Sequence, residues 1–264
     1  MLDREPDADP EERAPKGAAK DSGQAGSAWL ETLRTIVIAV LIAVGVRTFA
    51  YEPFNIPSSS MEPTLLVGDY LFVSKLSYGY SRHSLPFGLP LFSGRILFSE
   101  PEAGDVAVFT YPRDNKTDYI KRIVGLPDDK VEVRDGILHI NDVAVRRELL
   151  SASETAELGY NEPIGLLYYE TLPNGRRHLI REINDQRPLD NFDPVVVRQG
   201  HFFTMGDNRD NSLDSRADVG QVPFENLVGR ADILFFSHDG SSPWWKFWTW
   251  PSTIRFGRIG DAIE

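Results

Sequence analysis

From Ile36 to Val46 the chain runs Ile-Val-Ile-Ala-Val-Leu-Ile-Ala-Val-Gly-Val without a charge. Alone the run is short, since crossing a bilayer takes ~20 apolar residues. Extended from Leu33 through Tyr51 it becomes a span, provided Arg34 and Arg47 snorkel to the two interfaces. Trp29 and Tyr51 then lie near the ends, where amphipathic rings are favoured. The pattern predicts an uncleaved anchor over residues 29–52 rather than a cleaved secretory signal. The segment ahead is long and acidic, and no clean small-x-small cleavage site follows. Residues 1–28, rich in Asp, Glu, Ala, Pro and Gly with no aromatic, read as a disordered tail.

Beyond the anchor the period changes to two. Tyr70–Lys75, Asp105–Tyr111 and Tyr119–Val124 are short β-branched and aromatic runs and predict strands. Val131–Arg134 and Ile137–Ile140 flank Asp135-Gly136, a strong hairpin signal, and Asn141-Asp142 turns the chain again into Val143–Val145. A second hairpin is predicted from Leu166–Leu172 and Arg177–Ile183 around Pro173-Asn174-Gly175. His201–Met205 and Ala231–Phe236 complete the series, while 146–165 and 184–194 read as loops. The fold class expected is mostly β, antiparallel, behind one N-terminal transmembrane helix. Two apolar stretches fit neither period: Tyr78–Phe92, broken by Gly and Pro, and Pro243–Trp250, which holds four of the five tryptophans. Each reads equally as packed core or as a membrane-contacting face.

Composition narrows the chemistry. A net charge of −11 over 264 residues argues against a nucleic-acid partner. The absence of cysteine removes thiol catalysis, disulfides and thiolate metal sites. Five scattered histidines form no ligand pair at helical spacing, so neither a metal nor a cofactor is expected. Lys16, Lys20 and Arg34 precede the apolar run, and after Arg47 no Lys or Arg appears until Lys75. That bias puts the N-terminus in the cytoplasm and residues 53–264 outside the membrane.

Three stretches carry candidate chemistry. Ser58-Ser59-Ser60 is braced between Pro57 and Pro63, which favours a turn that presents hydroxyls. A serine needs a base to become a nucleophile. Lys121 shares a strand face with Tyr119 and Ile123. Were that face buried, desolvation would lower the lysine pKa and allow it to take a proton near pH 7. Met205–Arg216 is dense in Asp, Asn and Ser and reads as a loop. Asp207, Asp210 and Asp214 lack EF-hand spacing and enclose Arg209, so an ion-paired platform, with Asp214 meeting Arg209 or Arg216, is the better reading than a calcium loop.

Taken together, Pro57–Lys75, Gly104–Phe109, Asp118–Pro127 and Gly206–Arg216, in this order, resemble bacterial type I signal peptidase (leader peptidase), from about Arg47 to the C-terminal region. The resemblance implies Ser60, immediately before Met61, as nucleophile and Lys121 as general base. It implies Ser58 as the oxyanion-hole hydroxyl and Ser212 as the hydroxyl that orients the lysine. Phe54, Ile56, Met61, Leu65, Val108 and Ile120 would line shallow pockets for secreted preproteins with small residues at the first and third positions before the cut. It further implies a β insertion at about 126–200 and a location in the plasma (inner) membrane, where the lipid itself is a partner. Two departures stand out: Ser59 where many relatives have Gly, and Asp128 where Gly usually follows Leu-Pro. A self-cleaving repressor-type Ser/Lys protein and an inactive membrane-anchored β domain are the other classes compatible with these residues. The first should carry a DNA-binding module, and the second should lack Ser60 or Lys121.

Overall fold

The computed structural model describes residues 22–85, 93–158, 165–184, 186–243 and 245–264. The expected tail over 1–28 thus lies outside the described residues up to 21, as does the 86–92 part of the Gly/Pro-rich stretch. The chain divides into two units, residues 1–43 and 44–264.

The apolar run is helical, as its uncharged aliphatic composition requires. Helix α1 spans Ser22–Phe49, and its Trp29–Phe49 portion, 21 residues of mean hydropathy 1.9, is long and apolar enough to cross a membrane. Its start and end both differ from expectation. Residues 22–28 belong to the helix rather than to a tail. Tyr51 belongs not to the span but to strand β1 (Tyr51–Asn55), where it pairs with Ser74. Pro53 is tolerated there because β1 is an edge strand.

The second unit is mostly antiparallel β. Seven strands make the main sheet, in the order β1-β2-β14-β3-β4-β12-β13: β2 is Asp69–Ser74, β3 Val106–Thr110, β4 Asp118–Gly125, β12 His201–Met205, β13 Val222–Pro223 and β14 Leu227–Ser237. Alternate residues of β3 enter two different cores. Val106 and Val108 join Ile56, Met61, Leu65, Leu71 and Val73, whereas Ala107 and Phe109 join Tyr78, Ile123 and Phe202. With both faces covered, β4 is buried continuously from Lys121 to Gly125 rather than alternating. Lys121 and Arg122 are therefore both inside, at 3% and 1% exposure.

Between β4 and β12 lie two smaller sheets. One holds β5 (Lys130–Arg134), β6 (Ile137–Ile140), β7 (Val143–Ala144) and β11 (Phe192–Val196). The other holds β8 (Arg146–Leu149), β9 (Leu166–Thr171) and β10 (Arg177–Glu182). Asp135 and Gly136 both have positive φ, 48° and 74°, as a two-residue hairpin of the expected type requires. The segment 146–165 is not all loop. It contains β8 and helix α2 (Ala152–Glu157), which Ser151 and Glu154 cap reciprocally. Likewise β11 begins inside the stretch expected to be a loop at 184–194. Tyr78 and Tyr80 are buried, so the described part of that apolar stretch is core rather than surface.

Asp128 keeps the left-handed turn that Gly would have eased. Its φ is +71°, and its carboxylate accepts a hydrogen bond from Gln199 Nε2 at 2.6 Å. Relief of a left-handed L residue, about 1–2 kcal/mol, is set against the added chain entropy of Gly and the lost bond. Asp128→Gly should therefore change unfolding free energy by no more than about 1 kcal/mol in a urea titration. A change beyond about twice that would contradict this balance.

Candidate active site

The three candidate stretches converge. Ser59–Met61 form a single 3-10 turn after β1, and Lys121 stands in the middle of β4. Lys121 Nζ lies 2.7 Å from Ser60 Oγ and donates to the Ile120 carbonyl at 2.8 Å. The Tyr119 ring lies alongside, 5.6 Å from Nζ. Burial pushes the amine down to about 8, against the opposing pull of Asp214 and Asp207. Those two carboxylates are already matched by guanidinium partners, which limits that pull.

The three serines separate by contact. Ser59 Oγ accepts a hydrogen bond from Asn211 Nδ2 at 2.8 Å. Ser58 is exposed, with Oγ 3.4 Å from Ser60 Oγ. Only Ser60 is both buried and within reach of the lysine. The backbone of the turn is fixed from the loop after β12: Asn208 donates its N–H to the Ser60 carbonyl at 3.2 Å and its Nδ2 to the Ser59 carbonyl at 2.9 Å. Gly206 permits this approach, since a Cβ there would stand 2.5 Å from the Ser60 carbonyl oxygen and 2.3 Å from Ser212 Oγ.

An open cleft of about 640 Å³ runs over the pair, walled by Phe54, Ile56, Val108 and Ile120, with Ser58, Ser60 and Lys121 at its base. Met61 and Leu65, expected in the same walls, are wholly buried and are not among the cleft residues. They pack behind it in the core that also holds Ile56.

The family model for signal peptidase, peptidase S26, matches residues 29–236. Among curated relatives, the signal peptidase I of Rickettsia canadensis (strain McKiel) is 39% identical over 246 residues, covering 86% of this chain and 90% of its own. That of Rickettsia typhi (strain ATCC VR-144 / Wilmington) is 36% identical over 261 residues, covering 91% and 96%. The chain belongs to the signal peptidase family, peptidase S26. It is a serine endopeptidase that removes signal peptides, a hydrolase whose family works by a Ser/Lys dyad. The solved structure of a signal peptidase I from Enterococcus faecalis V583 is 29% identical and covers 50% of this chain and 97% of its own, at a TM-score of 0.31.

In this signal peptidase the platform under the turn is ion-paired, with a division of partners the sequence left open. Asp214 meets Arg216, whose Nη2 is 2.9 Å from Oδ2, and also accepts the Gly206 N–H at 3.0 Å. Burial pushes the Asp214 carboxyl up, but the Arg216 guanidinium outweighs it and holds the group below its ordinary range. Arg209 turns instead to Glu170 of β9, which it grips with both Nη atoms, one bond at 2.7 Å. Asp207 is held by Arg122, through Nε at 2.8 Å and Nη2 at 2.7 Å, and by Thr64 Oγ1 at 2.5 Å. Glu170, Asp207 and Arg122 escaped the sequence reading as pairing partners. The one available signal was an arginine placed directly after the candidate lysine in an otherwise apolar strand. Ser212 is buried beside Gly206, and neither hydrogen bond of Lys121 Nζ goes to it.

Proposed function

We propose that Ser60 is the nucleophile and Lys121 the general base of this signal peptidase. The observation that carries the assignment is the 2.7 Å approach of a buried, pKa-lowered amine to the one hydroxyl of the three adjacent serines that is buried. Neutral Lys121 accepts the Ser60 proton as Oγ attacks the scissile carbonyl. It then returns that proton to the leaving amine and activates the water that hydrolyses the acyl-enzyme. The Ser60 N–H and the Ser58 hydroxyl hold the oxyanion. Asp214 with Arg216, and Arg209 with Glu170, fix the loop that clamps the turn. Ser212 closes the space beside Gly206. The substrates are secreted preproteins with small side chains at the first and third positions before the cut, which the shallow walls of Phe54, Ile56, Val108 and Ile120 accommodate. No cofactor takes part in these steps. Ser58→Ala should lower kcat by about 10²–10³ while leaving measurable cleavage of a small-x-small peptide, the loss typical of one oxyanion donor. Unchanged kcat would remove Ser58 from that role.

The catalytic unit works, on this reading, outside the inner membrane, with the chain ahead of Trp29 in the cytoplasm, the Trp29–Phe49 helix as anchor and the β strands from Tyr51 onward beyond it. Trp245, Phe247, Trp248 and Trp250 are exposed on its surface and suit the headgroup layer; Trp244 lies outside the described residues. Protease added to intact spheroplasts should digest the β unit and spare an epitope placed within residues 1–20. Loss of that epitope alone would reverse the orientation.

A further inference from the structure

The catalytic cleft continues past its apolar walls. A second cavity of about 700 Å³ adjoins it, and the two share Phe54 and Asp118. Val44, Arg47 and Thr48 at the end of α1 line the second cavity, together with Glu52, Lys75 and Lys116. A trough thus leads from Ser60 and Lys121 to the end of the anchor helix. A signal peptide holds its apolar segment in the bilayer, so the chain ahead of the cut has to leave the cleft towards the membrane. The charges in the trough are unevenly matched. Lys75, 1% exposed, lies 2.9 Å from Glu52, which Arg47 also approaches at 3.6 Å. Asp118, at the junction of the two cavities, is exposed, and its Oδ1 accepts from Thr110 Oγ1 at 3.1 Å. It makes no ion pair among the described residues, and Glu52 and Asp114 act on it with charge of its own sign.

We propose, resting on Ser60 and Lys121 as the catalytic pair, that the second cavity is a further substrate subsite. Asp118 determines its specificity, taking a lysine or arginine of the preprotein at about the fifth position before the cut. A strand rises ~3.3 Å per residue, so Asp118, three residues before Lys121 on β4, lies about 10 Å along it. An extended substrate with its scissile carbonyl at Ser60, lying along β4, brings its third residue to that level. The fourth to sixth residues then pass into the second cavity. Alternation puts the fifth side chain on the same face as the first and third. A long basic side chain at the fifth position can lay its apolar stem along Phe54 and bring its charge back to Asp118. The carboxylate gains the counter-ion that this chain does not supply. Lys116 lines the same cavity and works against a basic side chain, so the expected preference is modest.

The test uses the full chain in detergent and small-x-small peptides whose fourth, fifth and sixth residues before the cut are changed in turn to Lys or Glu. With wild type, kcat/KM should be about 5–10-fold higher for Lys than for Glu at the fifth position, since attraction of one and repulsion of the other both count. The difference should lie in KM more than in kcat, and it should shrink as ionic strength rises past about 0.1 M. Asp118→Asn, which keeps a carbonyl oxygen for Thr110, should bring the ratio to about 1, and Asp118→Lys should invert it. The ratio compares two substrates on one enzyme. A weakened fold or a different nucleophile lowers both rates and leaves the ratio unmoved, so this subsite and the catalytic assignment fail separately. Equal rates for Lys and Glu at every tested position in wild type would overturn the proposal, as would a preference for Lys that persists in Asp118→Asn. A preference for Glu that Lys116→Gln abolishes would overturn it as well and assign the cavity to its cations.

Discussion

Ser60→Ala should reduce kcat/KM for a signal-peptide substrate by a factor on the order of 10⁶, equivalent to about 8 kcal/mol of transition-state stabilisation. The size follows from the sharing of labour. Without Oγ there is no acyl-enzyme, and Lys121 has no proton to take, so both contributions vanish at once. What remains is substrate positioning and whatever the oxyanion donors offer to a direct attack by water. The substitution should not unfold the chain, because the turn is held through backbone groups of residue 60, whose carbonyl accepts from Asn208, and not through the hydroxyl. Ser59→Ala is the matched control. Its hydroxyl accepts from Asn211 and takes no bond from the lysine, so its loss should cost tenfold or less, roughly one neutral hydrogen bond. Intact-mass analysis of enzyme quenched during turnover should find the acyl adduct on Ser60. Near-wild-type turnover in Ser60→Ala, or an adduct on Ser58 or Ser59, would refute the assignment.

Local features of the fold were readable because they are written in adjacent residues. Asp135-Gly136 fixes a hairpin by backbone conformation alone, and the uncharged Ile36–Val46 run can only be a helix if it meets lipid. Strands without a hydrophobic alternation were not readable. β8 is Arg-Arg-Glu-Leu, β11 carries Asp193-Pro194, and β1 carries Glu52-Pro53, so each forms because a neighbouring strand offers an edge. At the site, the sequence named the serine and the lysine, but it could not choose between Arg209 and Arg216 for Asp214. That choice depends on Glu170, 39 residues before Arg209, which arrives on β9 of a different sheet. Met61 and Leu65 have the right chemistry for a pocket wall. The 3-10 turn aims Ser60 at the lysine and leaves both apolar side chains in the core instead.

Replacing Lys121 by arginine should be nearly as damaging as losing the nucleophile, a fall on the order of 10⁴ or more in kcat/KM. The charge is conserved but the function is not, since guanidinium cannot deprotonate in the working range. The buried site is also shaped for one amine between Ser60 Oγ and the Ile120 carbonyl. Lys121→His is expected to retain a trace of activity, as a weaker base set back from the hydroxyl. The central claim concerns protonation, and it has a sign. Desolvation disfavours the ammonium form, so the folded-state pKa falls from 10.5 to about 8. The active species is the neutral amine, present in about one molecule in ten at pH 7 instead of fewer than about one in 10³ for a lysine in water. Activity must therefore rise with pH through the depressed value and flatten above it. The decisive measurement is kcat/KM for a small-x-small peptide from about pH 5 to about pH 11, a range that brackets both values. The account predicts an acid limb of unit slope that breaks near 8; a limb that keeps climbing to the ordinary lysine value of 10.5, or a profile flat through 8, would contradict it.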